Sequence, residues 1–502
     1  MSRSYRLLPL SMVLLVGCGG SRWPLWTTTD AGAGSADPAS AAAYPCSALK
    51  PLANLPVLGT WRTHYAYYSP DRSWLVLQVR GTRDSLIRVE LPSGRTTTII
   101  DGLNRAQPLG NTGAFLLLGA GATGEDLMIY DGKAAPRLVG SGLCNFEPAP
   151  NGSRLYVTGE CVGEENGLEA INVATGQVSI VDRSATMTTT WDMVVSPNGQ
   201  WVAYTTGDSY KTVRTITLAN VVAGSSYTIT SAEVLDSLRF VSDELLVLKT
   251  AATSAVDGDL RGHVPGSGDT SFLIASDVHG HQFSLDRTRV MVAKLSRPVG
   301  STLWASLYSI PVTGGDPLLL VKDWSSPYSD MGSPFSFDSQ GKYALYVSLV
   351  GLDPVSYTVS VVDMYGAKPR KLSNDVGFVP TLATSSVLLL DTDSGGRFRL
   401  RLTDIATGVD RLSFASKEEQ VISVMPFRGD QAVFFGTTDG QKNWARFMSA
   451  RFPQSVVLGE WEEGHNRSAE PMPVEADPTG CFTVVNTDVT PGPGTRLVLL
   501  PE

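Results

Sequence analysis

Ser196-Pro197-Asn198-Gly199, followed by QWVAYTT at 200–206, decides the fold of this chain. WDMVVSP at 191–197 leads into the turn, and VRTITLA (213–219) and SYTIT (226–230) follow it. Each segment alternates apolar and polar residues and is rich in β-branched and aromatic types, so the unit reads as four short strands. The same turn returns along the chain. Ser69-Pro70-Asp71 precedes SWLVLQV, Pro150-Asn151-Gly152 precedes SRLYVTG, and Asp338-Ser339-Gln340-Gly341 precedes KYALYVS. A worn copy, Asp477-Pro478-Thr479-Gly480, precedes CFTVVN. A second signal closes the inner strands: Pro92-Ser93-Gly94, Ala174-Thr175-Gly176, Thr313-Gly314-Gly315 and Ala406-Thr407-Gly408. A strand–turn–strand period of about 40 to 50 residues predicts an all-β fold of radially stacked sheets, a β-propeller with four-stranded antiparallel blades.

The turns at Asn111-Thr112-Gly113, Phe240-Val241-Ser242-Asp243, Thr381–Ser386 and Arg428-Gly429-Asp430 are degenerate. About ten units can be counted, against the four to eight blades usual for this architecture. The expectation is about eight blades within a range of seven to ten, with a large single ring or two smaller propellers as the other readings. Residues 231–283 are the least regular. Leu49–Leu58 is a candidate for the strand that completes the last unit and hides its edge.

These repeats resemble the TolB-type, WD40-like propeller repeat, with Ser69-Pro70-Asp71-Arg72 and Ser196-Pro197-Asn198-Gly199 the nearest matches and 55–502 the span covered. The resemblance implies protein partners at the outer membrane. The fold itself hosts many functions.

The 502 residues are 42% hydrophobic and 18% charged, with 49 Gly and 30 Pro, as expected of a turn-rich globular chain. A net charge of −9 without a basic stripe argues against nucleic acid as partner. Arg3 and Arg6 precede an apolar run, Leu7–Val16, that is too short to span a bilayer and reads as a signal peptide over 1–17. The run ends in Leu15-Val16-Gly17-Cys18, which resembles the bacterial lipobox. That resemblance implies lipidation of Cys18 and attachment to the cell envelope. Gly19 in place of Asp implies the outer membrane. Residues 18–43 are rich in Gly, Ala, Ser and Thr and read as a flexible tether, with the propeller over 44–502.

Four further cysteines remain: Cys46, Cys144, Cys161 and Cys481. Cys144 and Cys161 flank the Asn151-Gly152 turn almost symmetrically and are expected to bridge one hairpin. Elimination pairs Cys46 with Cys481.

Motifs with chemical overtones reduce to turns. Gly119-Ala120-Gly121-Ala122-Thr123-Gly124 fits a dinucleotide fingerprint but is followed by the strand-like LMIYD instead of a helix. Asp393-Ser394-Gly395-Gly396 lacks upstream partners for a serine protease, and no G-x-S-x-G elbow occurs. His263, His279 and His281 come without a completing carboxylate or Cys, and Asp257-Gly258-Asp259 and Asp391-Thr392-Asp393 lack the rest of a Ca²⁺ loop. No catalytic residue, metal or cofactor is therefore expected. Two lengthened loops, 250–270 and 322–334, are expected on one face, with Trp324 and Tyr328 as binding residues. The reading is a lipid-anchored envelope propeller that binds proteins. A propeller lyase or hydrolase of extracellular polymers and a carbohydrate-binding surface protein are the alternatives.

Overall fold

The computed structural model describes residues 63–499 apart from a set of connections between strands, among them 160–166, 207–214, 252–257, 327–334 and 463–472. Among the described residues there are 38 strands and no helix. All their pairings are antiparallel.

Each blade takes its strands in chain order. Blade 3 is Cys144–Pro148, Arg154–Gly159, Leu168–Asn172 and Val178–Asp182; blade 4 is Thr190–Val195, Trp201–Thr206, Thr215–Asn220 and Ser225–Ile229. First strands of neighbouring blades touch, as Cys144–Pro148 and Thr190–Val195 do, which places them innermost. Blade 1 is Thr63–Tyr68, Trp74–Val79, Asp84–Glu90 and the start of Thr96–Leu109. The end of that last strand opens blade 2, which continues with Ala114–Ala120, Glu125–Tyr130 and Arg137–Gly142. Blade 5 runs from Val234–Ser242 to Ser271–Val278, blade 6 from Gly280–Phe283 to Leu318–Ser326, blade 7 from Phe335–Phe337 to Arg370–Val376. Blade 8 runs from Thr381–Leu382 to Asp410–Ala415, blade 9 from Gln420–Pro426 to Val456–Glu462, and blade 10 from Pro473–Ala476 to Gly494–Leu499.

The count is thus ten among the described residues, the upper end of the expected range and equal to the number of units counted in the sequence. Described strands stand on both sides of each degenerate turn, so each marks a genuine blade. Thr63–Tyr68 of blade 1 lies against Pro473–Ala476 of blade 10, so the succession closes as one ring and not as two. The segment 49–58 lies outside the described residues.

Two hydrogen-bond devices explain the recurring turns. The motif's first residue links to the backbone five positions on. Ser69 Oγ accepts from Trp74 N at 3.1 Å, Ser196 Oγ from Trp201 N at 2.9 Å, and Asp338 Oδ1 from Tyr343 N at 2.8 Å. Ser284 Oγ does the same for Arg289 N at 3.0 Å. That fourth copy, Ser284-Leu285-Asp286-Arg287, is hard to recognise because Leu stands for Pro and Arg287 takes the left-handed backbone (φ 58°) that Gly199 supplies elsewhere. These turns also dock on one another. Asn151 Nδ2 donates to Asn198 O, Asn198 N to Asp243 Oδ1, and Arg287 Nη1 to Val241 O.

Between blades the core is a series of apolar seams. Leu116, Leu127 and Ile129 of blade 2 meet Leu155, Val157 and Ile171 of blade 3. Tyr156 and Tyr204 are fully buried at the next seam, and Tyr156 Oη donates to Gly199 O at 2.9 Å.

Candidate binding site

An Asx residue ends the third strand of several blades and bonds the following turn. Asn172 Oδ1 accepts from Thr175 N, Asn220 Oδ1 from Val222 and Ala223 N, and Asp404 Oδ1 from Thr407 N. The carbonyl just after it is where an arginine from the preceding blade lands. Arg137 donates to Val173 O at 2.9 Å, and Arg370 donates to Ile405 O and to Ala406 O. Arg137 and Arg370 each begin a fourth strand, opposite Ile129 and Val361 of the third. They staple blade 2 to blade 3 and blade 7 to blade 8.

At the junction of blades 1 and 2 this pair is exchanged. Arg88 occupies the third strand and Thr97 stands opposite it in the fourth. Arg88 still reaches the equivalent carbonyl, Gly132 O. Reaching it from one strand closer to the axis, about 4.8 Å inward, it leaves the outer part of the seam unfilled. The result is an open cleft of about 860 Å³.

Trp74, Tyr130 and Arg88 line the cleft, together with Thr97, Thr98 and Ile99 on the blade 1 wall and Asp131–Pro136 on the blade 2 wall. The Arg88 guanidinium lies over the Trp74 ring, 4.8 Å from its centroid, and its Nε is 2.9 Å from Glu90 Oε1. Gly132 has φ 82°, and a Cβ there would come within 3.1 Å of Gly113 O and of the Trp74 ring, so only glycine fits this turn. Backbone amides of Ala134 and Lys133 bond the Asp131 carboxylate and hold it below the usual carboxylate range. Two cations, Arg88 and Lys133, balance two carboxylates, Glu90 and Asp131, so the walls carry no net charge.

The cleft opens at the end of the blades that carries the strand 1–2 and strand 3–4 turns, since Ser69, Ser73, Thr112 and Gly113 also line it. The lengthened loops named from sequence belong to the opposite end, where Ala251 pairs with Gly258 and Ser326 with Leu303. The described parts of both loops include strand: Gly258–His263 in one, and in the other the end of Leu318–Ser326, which contains Trp324, while 252–257 and 327–334 lie outside the described residues. Trp324 is not a surface contact residue. It is 3% exposed, packs with Ala305, Leu307 and Tyr346, and donates from Nε1 to Val347 O at 2.9 Å. Its apolar ring completes the seam of blades 6 and 7. Tyr328, Cys18, Cys46, Cys161 and Cys481 lie outside the described residues. Cys144 pairs with Gly159 on the strand that leads towards Cys161.

Other polar clusters serve the architecture. Arg401 is paired with Asp391 and Asp410, which assigns Asp391 to an ion-pair network. Arg446 grips Glu419 at 2.7 and 2.9 Å. His263 is buried, with Nε2 3.1 Å from Tyr227 Oη. Among the described residues no group of His, Cys, Asp and Glu could hold a metal ion.

Two half-buried groups on the innermost strands have displaced ionisations. Burial pushes the Glu147 carboxyl up to about 7. Burial, then the charges of Lys249 and Arg239, push His281 down to about 4. The folded protein therefore binds more protons at Glu147 than the unfolded chain between pH 4.5 and 7, so that group's contribution to stability falls as pH rises through this range. His281 acts oppositely: its contribution is lost as pH falls from 6.5 towards 4. Glu147→Gln is expected to raise stability by about 2 kcal/mol at pH 8, a figure trimmed for water reaching the carboxyl, and to do little at pH 4. Thermal melts of both proteins across that range check it, and an equal shift at both ends would contradict it.

No protein-family model matches the chain, and no curated protein matches it. Among solved structures the chain is similar to the crystal structure of a eukaryotic initiation factor, at 12% identity and a TM-score of 0.47, over 80% of this chain and 96% of that one. It is also similar to the tricorn protease, at 10% identity and a TM-score of 0.33, over 88% of this chain and 46% of that one. A third is TolB from Acinetobacter baumannii, at 12% identity and a TM-score of 0.28, over 59% of this chain and 80% of that one. This chain spans less than half the length of the tricorn protease.

Proposed function

We propose that this chain is an exported, lipid-anchored β-propeller of the bacterial cell envelope that works as a protein-binding module. The observation that carries the binding reading is the cleft between blades 1 and 2, a preformed concavity on a rigid scaffold. The reading of Cys18 as a lipid anchor, with a tether behind it, supports the address. A polymer-cleaving hydrolase would call for one carboxyl held protonated beside a second one. In the cleft, Glu90 is paired with Arg88 and Asp131 is held ionised by backbone amides.

Cys18→Ser is expected to release the protein from membranes or to leave its precursor unprocessed, read by fractionation and mass of the mature chain. Unchanged processing and attachment would sink the anchor. For the binding role, the full chain serves as bait for envelope proteins. Recovery of a stoichiometric partner is expected, and recovery of none would overturn the reading.

A further inference from the structure

The wall of the cleft formed by blade 1 is also a free sheet edge. Thr96, Thr97, Thr98 and Ile100 pair with Val89, Arg88, Ile87 and Leu86 on one side. On the other side this stretch pairs with no strand among the described residues, because the ladder to Ala114–Ala120 begins only at Leu103. An edge of this kind displays unpaired N–H and C=O groups and is a template for another strand. Proteins usually blunt such edges with charge or proline. Arg137 opens the outer strand of blade 2, Arg370 and Lys371 that of blade 7, and Asp410 and Arg411 that of blade 8. Thr96–Ile100, between Arg95 and Asp101, has neither charge nor proline; Ser225–Ile229 of blade 4 shares this, but Thr97, Thr98 and Ile99 also line the cleft, and residues 96–98 are exposed.

We propose that the edge Thr96–Ile100 and the cleft beside it form a strand-addition site for an extended, uncharged segment of a partner protein. This rests on the protein-binding reading above and names its site and chemistry. Main-chain hydrogen bonds to the edge supply affinity, and alternate side chains of the added strand enter the cleft. Trp74 and the Ala134-Ala135-Pro136 wall receive small or apolar side chains there. Balanced charges in the cleft and an uncharged edge select a segment that is itself uncharged, since an unpaired charge would be desolvated without a partner.

The geometry that opens the cleft also supplies its control. The double change Arg88→Ile with Thr97→Arg restores the pairing seen at Ile129/Arg137 and Val361/Arg370 and fills the cleft with a staple. Thr98→Lys places a charge on the edge, at the wall of the cleft, and leaves the Arg88/Thr97 pair unchanged. Random octapeptides are selected for binding to the full chain in detergent, and their binding to wild type and both variants is titrated. Backbone amide exchange locates the bound peptide.

The expected result is uncharged peptides with small or apolar residues at alternate positions that protect amides of residues 96–101. Each variant is expected to bind them roughly tenfold or more weakly, with the double variant melting near wild type. If the double variant fails to fold, Thr98→Lys decides alone. Selection of no peptide, protection of another segment, undiminished binding by both variants, or occupation of the cleft by neutral oligosaccharides instead would overturn the proposal. Envelope partners still captured by both variants would remove this site and leave the protein-binding reading standing. Failure of the wild-type chain to capture any partner would remove that reading instead.

Discussion

Trp324→Ala is expected to cost about 3–5 kcal/mol of folding stability, the range for truncating a large buried aromatic. The ring is almost fully buried among Met291, Leu307 and Tyr346, and its indole N–H is bonded to Val347 O across the seam of blades 6 and 7. Truncation opens a cavity and leaves that carbonyl without its donor. Because the main contacts between blades among the described residues join neighbours, the loss should appear first as local opening of these two blades. Denaturant titration with amide exchange checks this. A variant as stable as wild type that has lost a partner would restore Trp324 as a contact residue.

Gly152→Ala is expected to destabilise by about 3 kcal/mol, roughly 1 for a left-handed backbone and 2 for overpacking. Gly152 has φ 69°, and an added Cβ would lie 2.3 Å from Leu109 O and 2.7 Å from Thr112 Cγ2 in blade 2. The nearest obstacle is backbone, so relief requires moving a blade. Gly224 is the internal control. It has φ 64° but nothing within 4 Å of an added Cβ, so Gly224→Ala should cost only the conformational part, about 1 kcal/mol. Equal midpoints for the two variants would show that the turns do not dock as described.

Much of the architecture was legible because it is local. A Ser or Asp that bonds its own backbone five residues on leaves the same mark at residues 69, 196 and 338, joined in the last two by a glycine at positive φ, Gly199 and Gly341. The mark fades at Ser284–Arg287, where Leu285 stands for Pro and Arg287 takes the glycine's backbone conformation, although Ser284 still bonds Arg289 N. In the loops at 250–270 and 322–334, Gly258–His263 is itself a strand and Leu318–Ser326 runs on for nine residues, so part of what looked like loop is sheet. Trp324 looked like a surface aromatic because a burial partner in the next blade, Val347, is 23 residues away. The cleft was illegible for a related reason. It follows from exchanging an arginine and a small residue between paired strands, Arg88/Thr97 against Ile129/Arg137. Only the register of the third and fourth strands makes those positions equivalent. A signal did exist: Asp or Asn just before the Ala-Thr-Gly turns, at Asn172 and Asp404, marks the carbonyl that the staple seeks.

If partners dock on the edge of blade 1 beside the cleft, as proposed, a crosslinker on that edge will capture them. The most direct measurement places a photoactivatable phenylalanine at Thr98 and, separately, at the exposed Val264, in blade 5, and irradiates each protein in intact envelopes. A discrete protein adduct from position 98, absent from position 264 and lost when Arg88→Ile and Thr97→Arg are added, is the predicted result. Adducts equal at both positions, or none at 98 while partner capture succeeds, would contradict it.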